Sequence, residues 1–186
     1  MNKKDKKTFN WGIIGTGGIA NAFAKDLELL DNHMVTAVLS RTIRNAEIFS
    51  KNLDNCKAYD NIDNFLEDKK IGAVYIATPN NLHCIQTIKS LEAKIPVLCE
   101  KPFAMNFEEA NKMIECSKLN STALLDGMWM RYLPHIAKLK DLLSKNTIGK
   151  VESIFACHGQ NLKWSDNPRL WTKELGGGAL LDLGIY

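Results

Sequence analysis

The sequence has no long apolar run: nowhere does it carry the roughly 18 consecutive apolar residues that a membrane-spanning helix requires. Paired cysteines are missing too. The five present (Cys56, Cys84, Cys99, Cys116 and Cys157) are odd in number and none stands in a C-x-x-C spacing. That argues against a disulfide framework and against a zinc ribbon, and reads as reduced thiols, mostly core filler, in a cytoplasmic protein. His33, His135 and His158 show no ligand spacing, so no metal is expected. Charge of one sign is also lacking. With 24 Lys+Arg against 21 Asp+Glu the net charge is +3, spread along the chain, and no nucleic-acid footprint results. The one basic cluster (Lys3, Lys4, Lys6 and Lys7) lies in a polar tail over residues 1–8 that holds no apolar segment fit for a secretory signal. No internal repeat is visible.

What is present is an ordinary globular composition. Of 186 residues, 45% are apolar and 24% charged, enough for one full core and part of a second domain. From residue 9 onward short β-rich runs alternate with helix-period segments. The runs are Phe9–Ile14, Met34–Leu39, Lys57–Tyr59, Ala73–Ala77, Val97–Cys99 and Thr122–Leu125. Between them, helices are predicted from Ile19 to Leu30 (with Ile19, Ala20, Phe23, Ala24, Leu27 and Leu30 inward), and over 44–52, 62–67 and 81–93. Asn106 then opens another, with Glu109 as its capping-box partner and Phe107, Ala110, Met113 and Ile114 as its buried stripe. A last helix is predicted from Pro134 to Leu143. Such alternation specifies an α/β fold, a doubly wound parallel sheet with right-handed crossovers, over residues 9–126. Beyond Gly149 the texture changes: Val151–His158 reads as a longer strand, and Gly176-Gly177-Gly178 leads into a helix start at Ala179–Asp182. Residues 127–186 thus look like the opening of an incomplete α+β domain.

Gly15-Thr16-Gly17-Gly18-Ile19-Ala20 matches G-x-G-x-x-G/A directly after the first strand and at the start of an amphipathic helix. Glycine is needed there because backbone N–H groups must approach a pyrophosphate closely at a helix N-terminus. The end of the second strand selects the dinucleotide. An NAD site places Asp or Glu there for the ribose 2′-hydroxyl. This chain has Ser40-Arg41-Thr42, with Arg44 nearby and no acid before Glu47. A hydroxyl with a guanidinium suits a 2′-phosphate, so NADP is expected over NAD.

Further motifs carry a family resemblance. Ala77-Thr78-Pro79-Asn80-Asn81-Leu82-His83 follows the fourth strand, and Cys99-Glu100-Lys101-Pro102 the fifth. With the glycine turn, these resemble the glucose–fructose oxidoreductase/inositol dehydrogenase/rhizopine-catabolism (Gfo/Idh/MocA) oxidoreductase family. Met128-Trp129-Met130-Arg131-Tyr132 and the run from Gly176 to Tyr186 are similar to its branch of dimeric dihydrodiol dehydrogenase and NADP-dependent xylose dehydrogenase. The resemblance implies a Rossmann domain, then a second domain with an open β-sheet that forms the substrate pocket and usually a dimer interface. As the chain stops early in that second domain, a fragment is expected, and a homodimer for a full-length form.

Carried over residue by residue, the resemblance makes Lys101 and Tyr186 the catalytic pair, with Asp182 four residues before Tyr186 on one helical face. Lys101 would orient a substrate hydroxyl and Tyr186 take its proton as hydride leaves. The same resemblance places Thr78, Pro79, Asn80, His83, Glu100, Lys101, Trp129 and Arg131 around the cofactor, beside Ser40 and Arg41. For His83 a surface histidine at a helix start is an equal reading, and for Glu100 a structural salt bridge. The implied activity is hydride transfer between NADP and a sugar or cyclic diol. Two other classes stay open: a dinucleotide-binding module without catalysis, and a subunit whose unfinished β-surface a partner chain completes.

Overall fold

Continuous apolar runs joined by amphipathic helices bury both faces of a parallel sheet, and that is what this chain forms. The computed structural model describes residues 8–164 and 168–186, so the basic cluster Lys3 to Lys7 lies outside the described residues. The strands are β1 (Phe9–Ile14), β2 (His33–Leu39), β3 (Lys57–Tyr59), β4 (Ala73–Ile76), β5 (Val97–Cys99) and β6 (Leu124–Asp126). They pair in parallel in the order β3-β2-β1-β4-β5-β6. The helices of this part are α1 (Gly18–Leu27), α2 (Ile43–Ser50), α3 (Ile62–Leu66), α4 (His83–Glu92) and α5 (Phe107–Asn120).

Register aligns the carboxyl ends of the strands. Ile14 lies opposite Leu39 and Ile76, and Cys99 opposite Ile76 and Asp126. The loops that begin at Gly15, Ser40, Ala77 and Glu100 therefore start level with one another. Two of them flank the point between β1 and β4 where strand order reverses, and crevices for ligands open at such points.

Alternation along the strands splits the core in two. Ile13, Val38 and Tyr75 face Ala20, Ala24 and Leu27 of α1 and Ala46 and Phe49 of α2. Ile14, Leu39, Val74, Ile76 and Cys99 pack with Phe65 of α3, Leu91 of α4 and Met113 of α5. Each fully buried aliphatic side chain here contributes about 1.5–3 kcal/mol of transfer free energy. Several details differ from the sequence reading. Ile19 and Leu30 are exposed, so the inward stripe of α1 is Ala20, Ala24 and Leu27 with Phe23 half-buried. On α5 the buried line runs through Ala110, Met113 and Cys116; Phe107 is 77% exposed and Ile114 is exposed as well, because both sit on its flank. β6 starts at Leu124 because Thr122 still belongs to the end of α5: its N–H bonds Ser117 O at 3.1 Å, after Ser121 in the left-handed cap conformation.

The chain divides into two compact units between Asp126 and Gly127. In the second, a 3-10 turn at Trp129–Tyr132 packs against α6 (Pro134–Ser144), which Pro134 opens. Val151–His158 forms no strand. The β-branched and aromatic residues that suggest one are exposed (Phe155 by 96%), and among the described residues no neighbour supplies a ladder. Two 3-10 turns (Pro168–Trp171 and Lys173–Leu175) and a π-turn (Leu180–Gly184) end the chain. Among the described residues no helix is long and apolar enough to cross a membrane.

Candidate functional site

The turn after β1 is shaped by close approach. Gly15 has φ +109°, and a Cβ there would stand 2.6 Å from Ala77 O, so the loops after β1 and β4 meet only because this residue is glycine. Gly15 N–H bonds Leu39 O at 2.8 Å. Gly17 is the N-cap of α1, with no side-chain cap and no acidic residue in the first turn. A Cβ on Gly17 or Gly18 would meet nothing within 4 Å. The unpaired N–H groups of the first helical turn thus border open space at the positive end of the dipole, which fits a pyrophosphate. Ala20, fully buried, lets α1 close on the sheet.

At the end of β2 the Thr16 and Ser40 hydroxyls lie 3.0 Å apart and tie the glycine turn to the neighbouring strand end. Arg41 is exposed beside them. Thr42 is used otherwise: its hydroxyl caps α2 by accepting Asn45 N–H at 3.4 Å. An open cleft of about 300 Å³ between α1 and α2 is lined by Thr16, Asn21, Asn45, Ile48, Phe49 and Asn52. This hydroxyl-rich end, with an exposed guanidinium and no carboxylate before Glu47, fits a phosphorylated ribose.

The loops after β4 and β5 are braced together. Thr78 Oγ1 donates to Gln86 Oε1 at 2.6 Å, and Asn80 is buried in a 3-10 turn that leads into α4. His83 is fully buried, so the surface-histidine reading does not hold. Its Nδ1 lies 2.9 Å from Pro102 O and its Nε2 3.0 Å from Thr78 O; whichever nitrogen carries a proton donates to a loop carbonyl. Among the described residues Glu100 makes no salt bridge. Its Oε1 accepts the Tyr75 hydroxyl at 2.6 Å and its Oε2 accepts Lys101 N–H at 3.0 Å. Lys101 is half-buried, and the Lys101–Pro102 peptide is cis.

The second unit gathers the remaining predicted residues. Trp129 Nε1–H donates to Tyr186 Oη at 2.9 Å, the two rings meet edge to face at 5.9 Å, and His158 stands 6.2 Å from the Tyr186 ring. Arg131 is exposed in the Trp129 turn. Asp182 lies within the π-turn, which ends at Gly184, and Tyr186 N–H bonds Leu183 O. The expected α-helical face shared by Asp182 and Tyr186 is therefore not formed, since a π-turn is wider than the 3.6-residue repeat that face assumes.

Residues 9–126 match the Gfo/Idh/MocA oxidoreductase family, NAD-binding Rossmann fold, and residues 136–186 its C-terminal domain. The chain belongs to the Gfo/Idh/MocA family. Within it, the chain is 34% identical to the NADP(+) D-xylose 1-dehydrogenase of Hypocrea jecorina, covering 96% of this chain and 51% of that protein. It is 36% identical to the trans-1,2-dihydrobenzene-1,2-diol dehydrogenase of Danio rerio, covering 95% and 53%. Among solved structures, an NAD-binding protein from Listeria innocua superposes with a TM-score of 0.78 at 27% identity, over 96% of this chain and 52% of that one. A 3-ketoreductase from Actinomadura kijaniata in complex with NADP gives 0.70 at 26%, over 77% and 46%. The chain spans about half the length of the curated relatives it matches.

Sequence reasoning passed over two residues of this site. Tyr75 looks like plain strand filler in Ala-Val-Tyr-Ile-Ala. The available signal was that a tyrosine in a strand covered on both faces must find a partner for its hydroxyl. Gln86, which accepts from Thr78, carries no local signal.

Proposed function

We propose that this chain is the cofactor-binding part, with the start of the substrate part, of an NADP-dependent oxidoreductase that moves hydride between the nicotinamide and a carbinol carbon of a sugar or cyclic diol. Residues 9–126 are then the dinucleotide domain and 127–186 the opening of a substrate and dimerisation domain. One observation carries the reading: the uncapped N-terminus of α1 and the braced Lys101 loop start level with each other along the carboxyl edge of the sheet, around the β1/β4 reversal. The printed names of the two dehydrogenase relatives supply the substrate classes, and that of the first supplies NADP(+).

NADP, when bound, takes up or delivers the hydride. The chain's own residues do the rest. The N–H groups of Gly15, Thr16, Gly17, Gly18, Ile19 and Ala20 hold the pyrophosphate. Thr16, Ser40 and Arg41 hold the 2′-phosphate, and Thr78, Pro79 and Asn80 wall the groove. Lys101 holds the substrate hydroxyl through its ammonium. Tyr186, acting in its phenolate form with its oxygen held by Trp129 N–H, takes the hydroxyl proton as the C–H bond gives up hydride, and in the reverse direction returns it. The full-length form is a cytoplasmic homodimer, a placement in keeping with five free cysteines.

The test is Lys101→Met, which keeps length and removes charge. Turnover of D-xylose or trans-1,2-dihydrobenzene-1,2-diol is expected to fall by about 100-fold or more while NADPH affinity stays within about three-fold. Full turnover by Lys101→Met sinks the reading, and turnover absent from the parent chain that nonetheless binds NADPH favours a non-catalytic module.

A further inference from the structure

Lys101 sits in a loop, and loops hold a reacting group well only where other side chains fix their backbone. Here the fixing groups are visible. Glu100 N–H continues the β4–β5 ladder by bonding Ile76 O at 3.0 Å. From that position the Glu100 carboxylate spans two donors, the Tyr75 hydroxyl at 2.6 Å and Lys101 N–H at 3.0 Å. Tyr75 is itself immobilised. It is 2% exposed, and its ring stacks on Phe23 of α1 with centroids 3.9 Å apart. Burial, and then the Glu100 charge, raise its phenol above the ordinary tyrosine range, so it remains a donor at any working pH. On the other side of the sheet, His83 reaches Pro102 O, the carbonyl immediately after Lys101.

We propose that Tyr75 is a positioning residue for Lys101, acting through the Glu100 carboxylate to set the direction of the Lys101 backbone. The proposal rests on the reading of Lys101 given above for its catalytic consequence, but not for its geometry. Tyr75 touches neither substrate nor cofactor in this scheme.

Amide hydrogen exchange reads the geometry without need of turnover. Tyr75→Phe keeps the ring on Phe23 and removes the hydroxyl alone. Exchange at Lys101 is expected to become at least ten-fold faster, while Val74 and Glu100, whose N–H groups bond the carbonyls of Pro96 and Ile76, keep their rates. A purely structural loss would speed all three together and overturn the proposal, as would an unchanged rate at Lys101. Should Tyr75→Phe fold poorly, Glu100→Ala serves instead. It removes the acceptor of Lys101 N–H outright, so it is expected to give the same acceleration, and no acceleration there overturns the proposal equally. Turnover of D-xylose separates this claim from the one beneath it. Full turnover by Lys101→Met removes the catalytic role of Lys101 and leaves the exchange result standing. A dead Lys101→Met with full turnover by Tyr75→Phe removes the positioning role alone; a ten-fold loss in kcat with NADPH affinity within two-fold supports it.

Discussion

Asp68 shows how a single carboxylate reports on this fold. Its side chain is nearly buried, accepts the Tyr59 hydroxyl at 2.8 Å and Lys70 N–H at 3.0 Å, and lies 3.8 Å from Lys57 Nζ. Burial pushes its pKa up, but the two hydrogen bonds and the neighbouring lysines outweigh that, and the net value falls below the ordinary carboxylate range. Tyr59 moves the other way, up to about 12, through burial first and then Asp68. The depressed carboxylate contributes stability that is complete above the unfolded carboxylate range and is lost as pH falls through the native value. The raised phenol contributes stability that is complete below pH 10 and is lost as pH rises toward about 12. Asp68→Asn, whose single oxygen cannot serve both donors so well, should therefore cost about 1–2 kcal/mol near pH 7 in urea melts. That deficit should shrink below about pH 4; a deficit unchanged down to pH 3 would contradict the assignment. At this scale, legibility depends on distance along the chain. Gly15 and the Glu-Lys-Pro run declare themselves through local spacing. Tyr75 and His83 do not, because the partners that tie them to the Lys101 loop, Glu100 and Pro102, lie 25 and 19 residues away.

Among elements, α5 is where sequence signals are most complete. Asn106 Oδ1 accepts Glu109 N–H at 2.9 Å, and Glu109 Oε2 reaches back to Met105 N–H at 3.1 Å, one residue before the cap rather than to the cap itself. Asn106→Ala should lower stability by about 1 kcal/mol in chemical denaturation, with the slope unchanged; a loss under about 0.3 kcal/mol would show the cap to be idle. The five helices and six strands of the first unit were readable because apolar periodicity fixes which face is buried. Two features were not. The flanking positions of Phe107 and Ile114 on α5 depend on how the helix rolls against α4, which periodicity alone leaves free within a residue or two. Val151–His158 has strand composition, but a strand exists only through its neighbour, and composition does not contain the neighbour.

For the whole molecule, the six-stranded parallel sheet sets loops from β1, β2, β4 and β5 along one edge, and this is what makes a dinucleotide site from residues far apart in sequence. The family matches over residues 9–126 and 136–186 agree with that architecture, and the chain spans about half of its curated relatives. The fold of the first unit was therefore legible as a whole. The second unit was legible only as motifs: the Trp129–Tyr186 hydrogen bond joins residues 57 apart in sequence, and the three glycines that precede Tyr186 gave no hint of a π-turn. The central claim is that the turn at Gly15 and the hydroxyl pair of Thr16 and Ser40 with Arg41 bind a 2′-phosphorylated dinucleotide. Titration of the chain with NADPH and separately with NADH, followed by nicotinamide fluorescence, tests it most directly. The account predicts saturable NADPH binding at least ten-fold tighter than NADH, a difference of about 1.4 kcal/mol from one charge-assisted phosphate contact. Equal affinities, or tighter NADH, would contradict it.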